Sequence, residues 1–221
     1  MFLLSTIGYQ RICMQKIIYI IRHGETDFNR QGIVQGGGVD SSLNELGRQQ
    51  AQAFYESYGD VSFEAVLTST LQRTHQTVQA FLKKGLRWEQ FADINEMNWG
   101  YQEGKEPTPD MTTEFQLIKE AWSRGELDER IPGGESAAEL GARLDRFITH
   151  LKQRPEQTLL VCSHGRAMSA MMCLLHGLPL QEMNQYFHYN TGLWKVHFDS
   201  STFSFELKND TRHLESLMLN V

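Results

Sequence analysis

The chain has 221 residues, of which 40% are hydrophobic and 22% charged, and its net charge is −6. That mixture belongs to an ordinary globular protein able to bury a substantial core, not to a disordered or fibrous chain. No apolar run approaches the ~20 residues that span a bilayer. The acidic balance argues against nucleic acid as the main partner, whereas a small anionic ligand needs only a few cations in one pocket.

Taken in chain order, residues 1–13 contain the short run Phe2-Leu3-Leu4, with no basic residue before it and no small-residue cleavage site, so they do not read as a signal peptide. They read as a flexible N-terminal extension, with Met14 as an alternative start and residues 14–221 as a single domain. Lys16 to Ile21 is β-branched and apolar without alternation, which predicts a strand covered on both faces. A glycine-rich loop, Gln35-Gly36-Gly37-Gly38, follows. Residues 44–58 read as a helix capped by Asn44, 61–68 as a strand, 71–82 as a helix and 88–95 as holding a short strand. From Tyr101 to Ile131 the pattern loosens around Pro107 and Pro109, with a helix predicted over 112–123, and this stretch is expected to be an insertion or lid. Ser136 and Glu139 form a capping box at the start of a long helix. A buried strand over 158–163, a helix over 166–176 and paired strands over 191–198 and 202–208 close the chain. The simplest account is one α/β domain with a helical insertion.

Cys13, Cys162 and Cys173 are odd in number and scattered, which speaks against a disulfide framework or zinc knuckle and for a reducing, cytoplasmic setting. Cys162 reads as a small buried hydrophobe. The histidines show no ligand spacing such as HExxH, so no metal is expected. Among them, His188 and His213 are expected at the surface, with a place at the border of a pocket as the alternative.

The chemistry gathers at strand ends. The first strand runs into His23-Gly24, the 158–163 strand into His164-Gly165, and a third is followed by Arg73. In open parallel sheets the ligand crevice lies beyond the carboxyl ends of the strands. Those ends would deliver two imidazoles, Arg73 and Arg22 to one place, a set suited to an oxyanion such as phosphate. A lone histidine or arginine at such a junction has a bland reading, as a core or solvated residue; the signal lies in the set.

The ordered motifs extend this. Arg22-His23-Gly24-Glu25-Thr26 with Asn29 resembles the RHGxTxxN signature of the histidine phosphatase superfamily, in its phosphoglycerate-mutase-like branch. Gln35-Gly36 through Asp40, Leu43 and Gly47, then Ser69 to Thr74 with Thr77, Ile94 to Gly104, Pro132 to Ser136, and Val161 to Gly165 continue the resemblance from about Lys16 to about Phe198.

The resemblance implies a three-layer α/β sandwich with a mostly parallel central sheet. It also implies His23 as a nucleophile that takes the phosphoryl group. Arg22, Arg73, His164, Asn29, Gln35, Gly36 and Gly165 would be phosphate or substrate contacts, and Glu96 the acid and then base. An ordinary glutamate, with a pKa of about 4.3, is mostly ionised at neutral pH, so that role asks for a raised value. A phosphatase acting on a small phosphorylated metabolite, without cofactor, is favoured over a mutase because no adjacent arginine pair occurs in 101–131, where Arg124 and Arg130 stand apart. A catalytically silent phospho-ligand binder is the remaining reading. Gly37 stands where the family often has a bulky aromatic, which predicts a wider or looser substrate loop. Oligomeric state is left open, a homodimer included.

Overall fold

The computed structural model describes residues 15–218. The expected extension over 1–13 and the alternative start at Met14 lie outside them.

An unbroken apolar strand needs cover on both faces, and β1 (Lys16–Arg22) has it. Ile18 and Ile20 point into one core and Tyr19 and Ile21 into the other, as the two-residue period of a strand demands. After β1 the chain forms a short helix, α1 (Asp27–Gln31), then α2 (Glu45–Tyr58), β2 (Ala65–Thr68), α3 (Gln72–Leu82) and β3 (Arg87–Gln90). The helix α4 (Pro109–Ser123) and the long α5 (Ala137–Gln153) precede β4 (Thr158–Ser163) and α6 (Gly165–His176). The chain closes with β5 (Leu193–Phe198), β6 (Phe203–Asp210) and the short α7 (Glu215–Met218).

The six strands lie in the order β3-β2-β4-β1-β5-β6. β1, β2, β3 and β4 pair in parallel, while β5 is antiparallel to both β1 and β6. Phe54 of α2 and Val78 and Phe81 of α3 pack on one face of the sheet. Leu140, Leu144 and Phe147 of α5, with Ala167 and Met171 of α6, pack on the other. The result is a mixed, mostly parallel sheet between two helical layers.

Several boundaries differ from the sequence reading for physical reasons. Pro109 does not interrupt a helix but begins one. It occupies the first turn of α4, where its missing N–H has no intrahelical partner to lose, and Thr108 caps from the preceding position. β2 starts at Ala65, four residues late, because Val61 and Phe63 belong to the turn leaving α2. Asn44 caps α2 and the Ser136–Glu139 box caps α5 as expected. The stretch 101–131 is packed into the main body: Trp122 of α4 is fully buried in the α5–α6 core, and its Nε1–H donates to the Glu129 carbonyl at 2.8 Å. No helix among the described residues is long and apolar enough to cross a membrane.

Candidate active site

Parallel register brings the motif residues together. Arg22 of β1 pairs with Ser163 of β4, and Thr68 of β2 with Cys162, so three strands end at one level. The next backbone N–H groups continue the ladder: His23 donates to the Ser163 carbonyl at 3.0 Å and Ser69 to the Cys162 carbonyl at 3.3 Å. His23 and His164 therefore emerge side by side, their ring centroids 5.1 Å apart.

His23 is almost wholly buried. Its Nδ1 lies 2.7 Å from the Gly24 carbonyl oxygen. A carbonyl only accepts, so Nδ1 carries the proton and Nε2 the lone pair. Burial first, then the Arg73 and Arg22 charges, hold this imidazole neutral, well below the ordinary pKa of 6.5. Gly24 is fixed in turn by its N–H to Thr77 Oγ1 at 2.9 Å.

His164 has both ring nitrogens engaged. Nδ1 accepts from Arg73 Nε at 3.2 Å, which leaves the proton on Nε2, 2.8 Å from Ser69 Oγ. Burial and the nearby Arg73 also keep it neutral. Arg73 is fully buried, and its Nη1 and Nη2 donate to the carbonyls of Val39 and Gly36 at 2.6 and 3.2 Å. Burial lowers its pKa to about 10, which leaves it cationic at neutral pH. Arg22 donates from Nη1 to the His188 carbonyl at 2.9 Å, while its buried Nε has no protein partner. A buried cationic donor without an acceptor costs at least ~1–3 kcal/mol, so an anion is favoured beside it.

Glu96 holds the start of α6. His164 occupies the cap position without a side-chain cap bond. The Glu96 carboxylate serves instead, accepting from the Arg166 N–H at Oε2 (3.1 Å) and the Ala167 N–H at Oε1 (3.0 Å). Oε1 also accepts from the Met97 N–H at 2.8 Å. Free N–H groups and the helix dipole make that end a favourable seat for an anionic side chain. Gly165 faces the same space: a Cβ there would stand 3.5 Å from Arg22 Nε and 3.8 Å from Glu96 Oε2. An open cleft of about 460 Å³ reaches Glu96 and Gly37 from outside, rimmed by the Arg143–Glu135 and Arg130–Glu139 ion pairs.

The remaining sequence candidates border this centre. Asn29 accepts from the Thr26 N–H in the capping box of α1, so its Oδ1 is occupied and its amide donor remains available. Gln35 Oε1 accepts from Thr26 Oγ1 at 3.0 Å and from Ser41. The glycine loop is tied down rather than loosened. Gly37 donates to the Met97 carbonyl at 3.0 Å, and a Cβ at 37 would lie 2.7 Å from the Glu96 carbonyl oxygen. The Glu103 carboxylate fills the room a side chain would need at Gly36 and Gly38.

Other contacts were not foreseen. Ser69 and Thr77 orient the two histidine segments, and Asn190 donates from Nδ2 to the His23 carbonyl at 2.9 Å. Their only local signals are the family motif for the first two and a turn-like Asn-Thr-Gly before β5 for the third. His188 and His213 are buried, not at the surface; burial lowers their pKa values to about 3 and about 4. Cys162 is buried and its thiol pushed up by burial, the state of an inert core residue.

A parallel-sheet crevice with two neutral histidines, two guanidiniums and a carboxylate is an arrangement chemically suited to a tetrahedral oxyanion. The chain belongs to the histidine phosphatase superfamily (branch 1), whose family model matches residues 18–211. It is 30% identical over 205 residues to a probable phosphoglycerate mutase of Yersinia pestis, covering 90% of this chain and 94% of that one. Among solved structures it resembles a putative alpha-ribazole-5'-P phosphatase from Escherichia coli, with a TM-score of 0.79, 26% identity and coverage of 89% and 97%. A mycobacterial glucosyl-3-phosphoglycerate phosphatase shares the fold, with a TM-score of 0.73, 22% identity and coverage of 88% and 99%.

Proposed function

We propose that this chain is a phosphomonoester hydrolase that works through a phosphohistidine at His23 on a small phosphorylated metabolite. The observation that carries the reading is the tautomer of His23: with Nδ1–H on the Gly24 carbonyl, Nε2 is left carrying the lone pair. A neutral imidazole held in one tautomer is a competent nucleophile toward phosphorus.

The Nε2 lone pair forms a bond to phosphorus as the ester P–O bond breaks. Glu96, protonated by the hydroxyl of the incoming monoanionic ester, gives that proton to the departing alkoxide, then takes one from water as the resulting hydroxide attacks phosphorus. The N–P bond breaks, inorganic phosphate leaves, and His23 regains its lone pair. Arg22 and Arg73 offset the charge on the nonbridging oxygens, and Asn29 and Gly165 border them. Gln35 and Gly36 line the approach. A phosphate oxygen that bonds His164 must share or displace its contact with Arg73 or Ser69.

A mutase is the second reading, favoured by the name of the Yersinia relative. Hydrolysis is preferred because α4 and its flanks offer no paired guanidiniums: Arg124 bonds Glu126 and Arg130 bonds Glu139. The test is p-nitrophenyl phosphate hydrolysis with EDTA present, together with trapping of an acid-labile phosphoryl label. Label on His23 with release of phosphate supports the hydrolase. Primer-dependent exchange between phosphoglycerates supports the mutase, and binding of phosphate analogues with neither activity supports a silent binder.

A further inference from the structure

A slot of about 370 Å³ is lined by the apolar Val34, Trp99, Pro107, Met111 and Phe115 and by the uncharged polar Gln35, Gln102 and Thr112. No charged side chain lines it. It adjoins the cradle through the backbone. Gln35 precedes Gly36, whose carbonyl accepts from Arg73, and Trp99 lies three residues beyond Glu96.

The slot's aromatic wall is fixed. Phe115 meets Trp99 edge-on at 5.2 Å, and the Arg166 guanidinium lies 5.9–6.0 Å from the Trp99, Phe115 and Trp122 rings. Arg166 is held in turn by Asn184 Oδ1 at 2.9 Å. The backbone N–H of this same residue donates to Glu96 Oε2. The first turn of α6 therefore sets both the aromatic wall and the carboxylate that would protonate the leaving oxygen.

We infer that this slot is the leaving-group subsite, and that it selects phosphomonoesters of alcohols with an uncharged, flat apolar body. The inference rests on the hydrolase reading and deepens it. The volume is at the small end of ligand pockets, room for one ring system. A carboxylate or second phosphate placed there would be stripped of water with no cation to replace it. Of the polar side chains lining the slot, Gln102 and Thr112 already donate elsewhere, to Glu114 and to the Thr108 carbonyl. An aromatic ring would exchange water for the faces of Trp99 and Phe115.

The test compares kcat/KM for 2-phenylethyl phosphate, ethyl phosphate and phosphoglycolate. All three are primary alkyl esters, so the comparison reads the body of the alcohol more than its leaving ability. The phenylethyl ester should exceed each of the others by about tenfold or more, the scale of discrimination an apolar pocket supplies. In Phe115→Ala, and in Thr112→Glu at an exposed slot position, the phenylethyl-to-ethyl ratio should fall about fivefold or more. A ratio cancels any general loss from altered folding. A wild-type ratio near one, preference for phosphoglycolate, or a ratio unmoved in both variants overturns the assignment. Turnover without discrimination removes the slot alone. No turnover of any ester and no acid-labile label removes the hydrolase reading, and the slot assignment with it.

Discussion

Arg73 donates its Nε–H to Nδ1 of His164 across 3.2 Å, and this bond decides what the second imidazole is. A ring that accepts at Nδ1 carries its proton on Nε2, and Ser69 receives it. His164 is thus a neutral spacer between a cation and a hydroxyl. The positive charge in the cradle comes from guanidiniums, which stay charged when buried; an imidazole in the same place does not.

Ser69→Ala tests that arrangement. It leaves the buried Nε2–H of His164 without its partner, which costs ~1–3 kcal/mol of stability. Freed to turn, the ring loosens its hold on Arg73, and KM for p-nitrophenyl phosphate should rise. Denaturant unfolding and steady-state kinetics read the two effects. A variant as stable and as tight-binding as the parent would contradict the arrangement.

In the proposed mechanism Glu96 carries two functions that separate by variant. Glu96→Gln removes the transferable proton, and its turnover of alkyl esters should fall by ~10²–10⁴, with activated aryl phosphates affected far less. Glu96→Ala also removes the cap of α6, at a cost of ~1 kcal/mol in unfolding free energy. Equal loss on alkyl and aryl esters would speak against the acid role.

Gly37 is predicted to be intolerant. Gly37→Ala sets a Cβ against the Glu96 carbonyl oxygen at 2.7 Å, and the glycine loop must move away from Arg73. Loss of kcat/KM should exceed ~10-fold, the scale set by ångström-sized misplacement of catalytic groups. Activity matching the parent would mean that the loop does not position the centre.

Stability should decline in acid. His188 and His213 titrate at about 3 and about 4 in the folded protein, against 6.5 ordinarily. Between those values the unfolded chain binds more protons, so stability rises with pH there. The contribution is complete above 6.5 and is lost as pH falls towards 4 and then 3, at up to ~1.4 kcal/mol per pH unit for each histidine. His213→Asn should flatten the dependence between pH 6.5 and 4 in urea unfolding; an unchanged slope would show that His213 is not its source.

Local chemistry made much of this protein readable in one dimension. The unbroken apolar runs at 16–21 and 158–163 became central strands because only a doubly covered strand suits them. Asn44 and Ser136 cap helices through bonds that span three residues and need no distant partner. The set His23, His164, Arg22 and Arg73 was visible because each ends or follows a strand, and strands that pair in parallel end together.

What the linear chain did not carry was the use of each polar atom. Pro109 opens a helix or breaks one according to what precedes it. His188 and His213 look like any surface histidine until β5 and the C-terminal turn bury them. Gly37 reads as freedom in sequence and as a tight fit in three dimensions, because the Glu96 carbonyl stands 2.7 Å from where its Cβ would be. Tautomers, orphan donors and apolar slots depend on residues tens of positions apart meeting at hydrogen-bond or van der Waals distance, and only tertiary packing sets those distances.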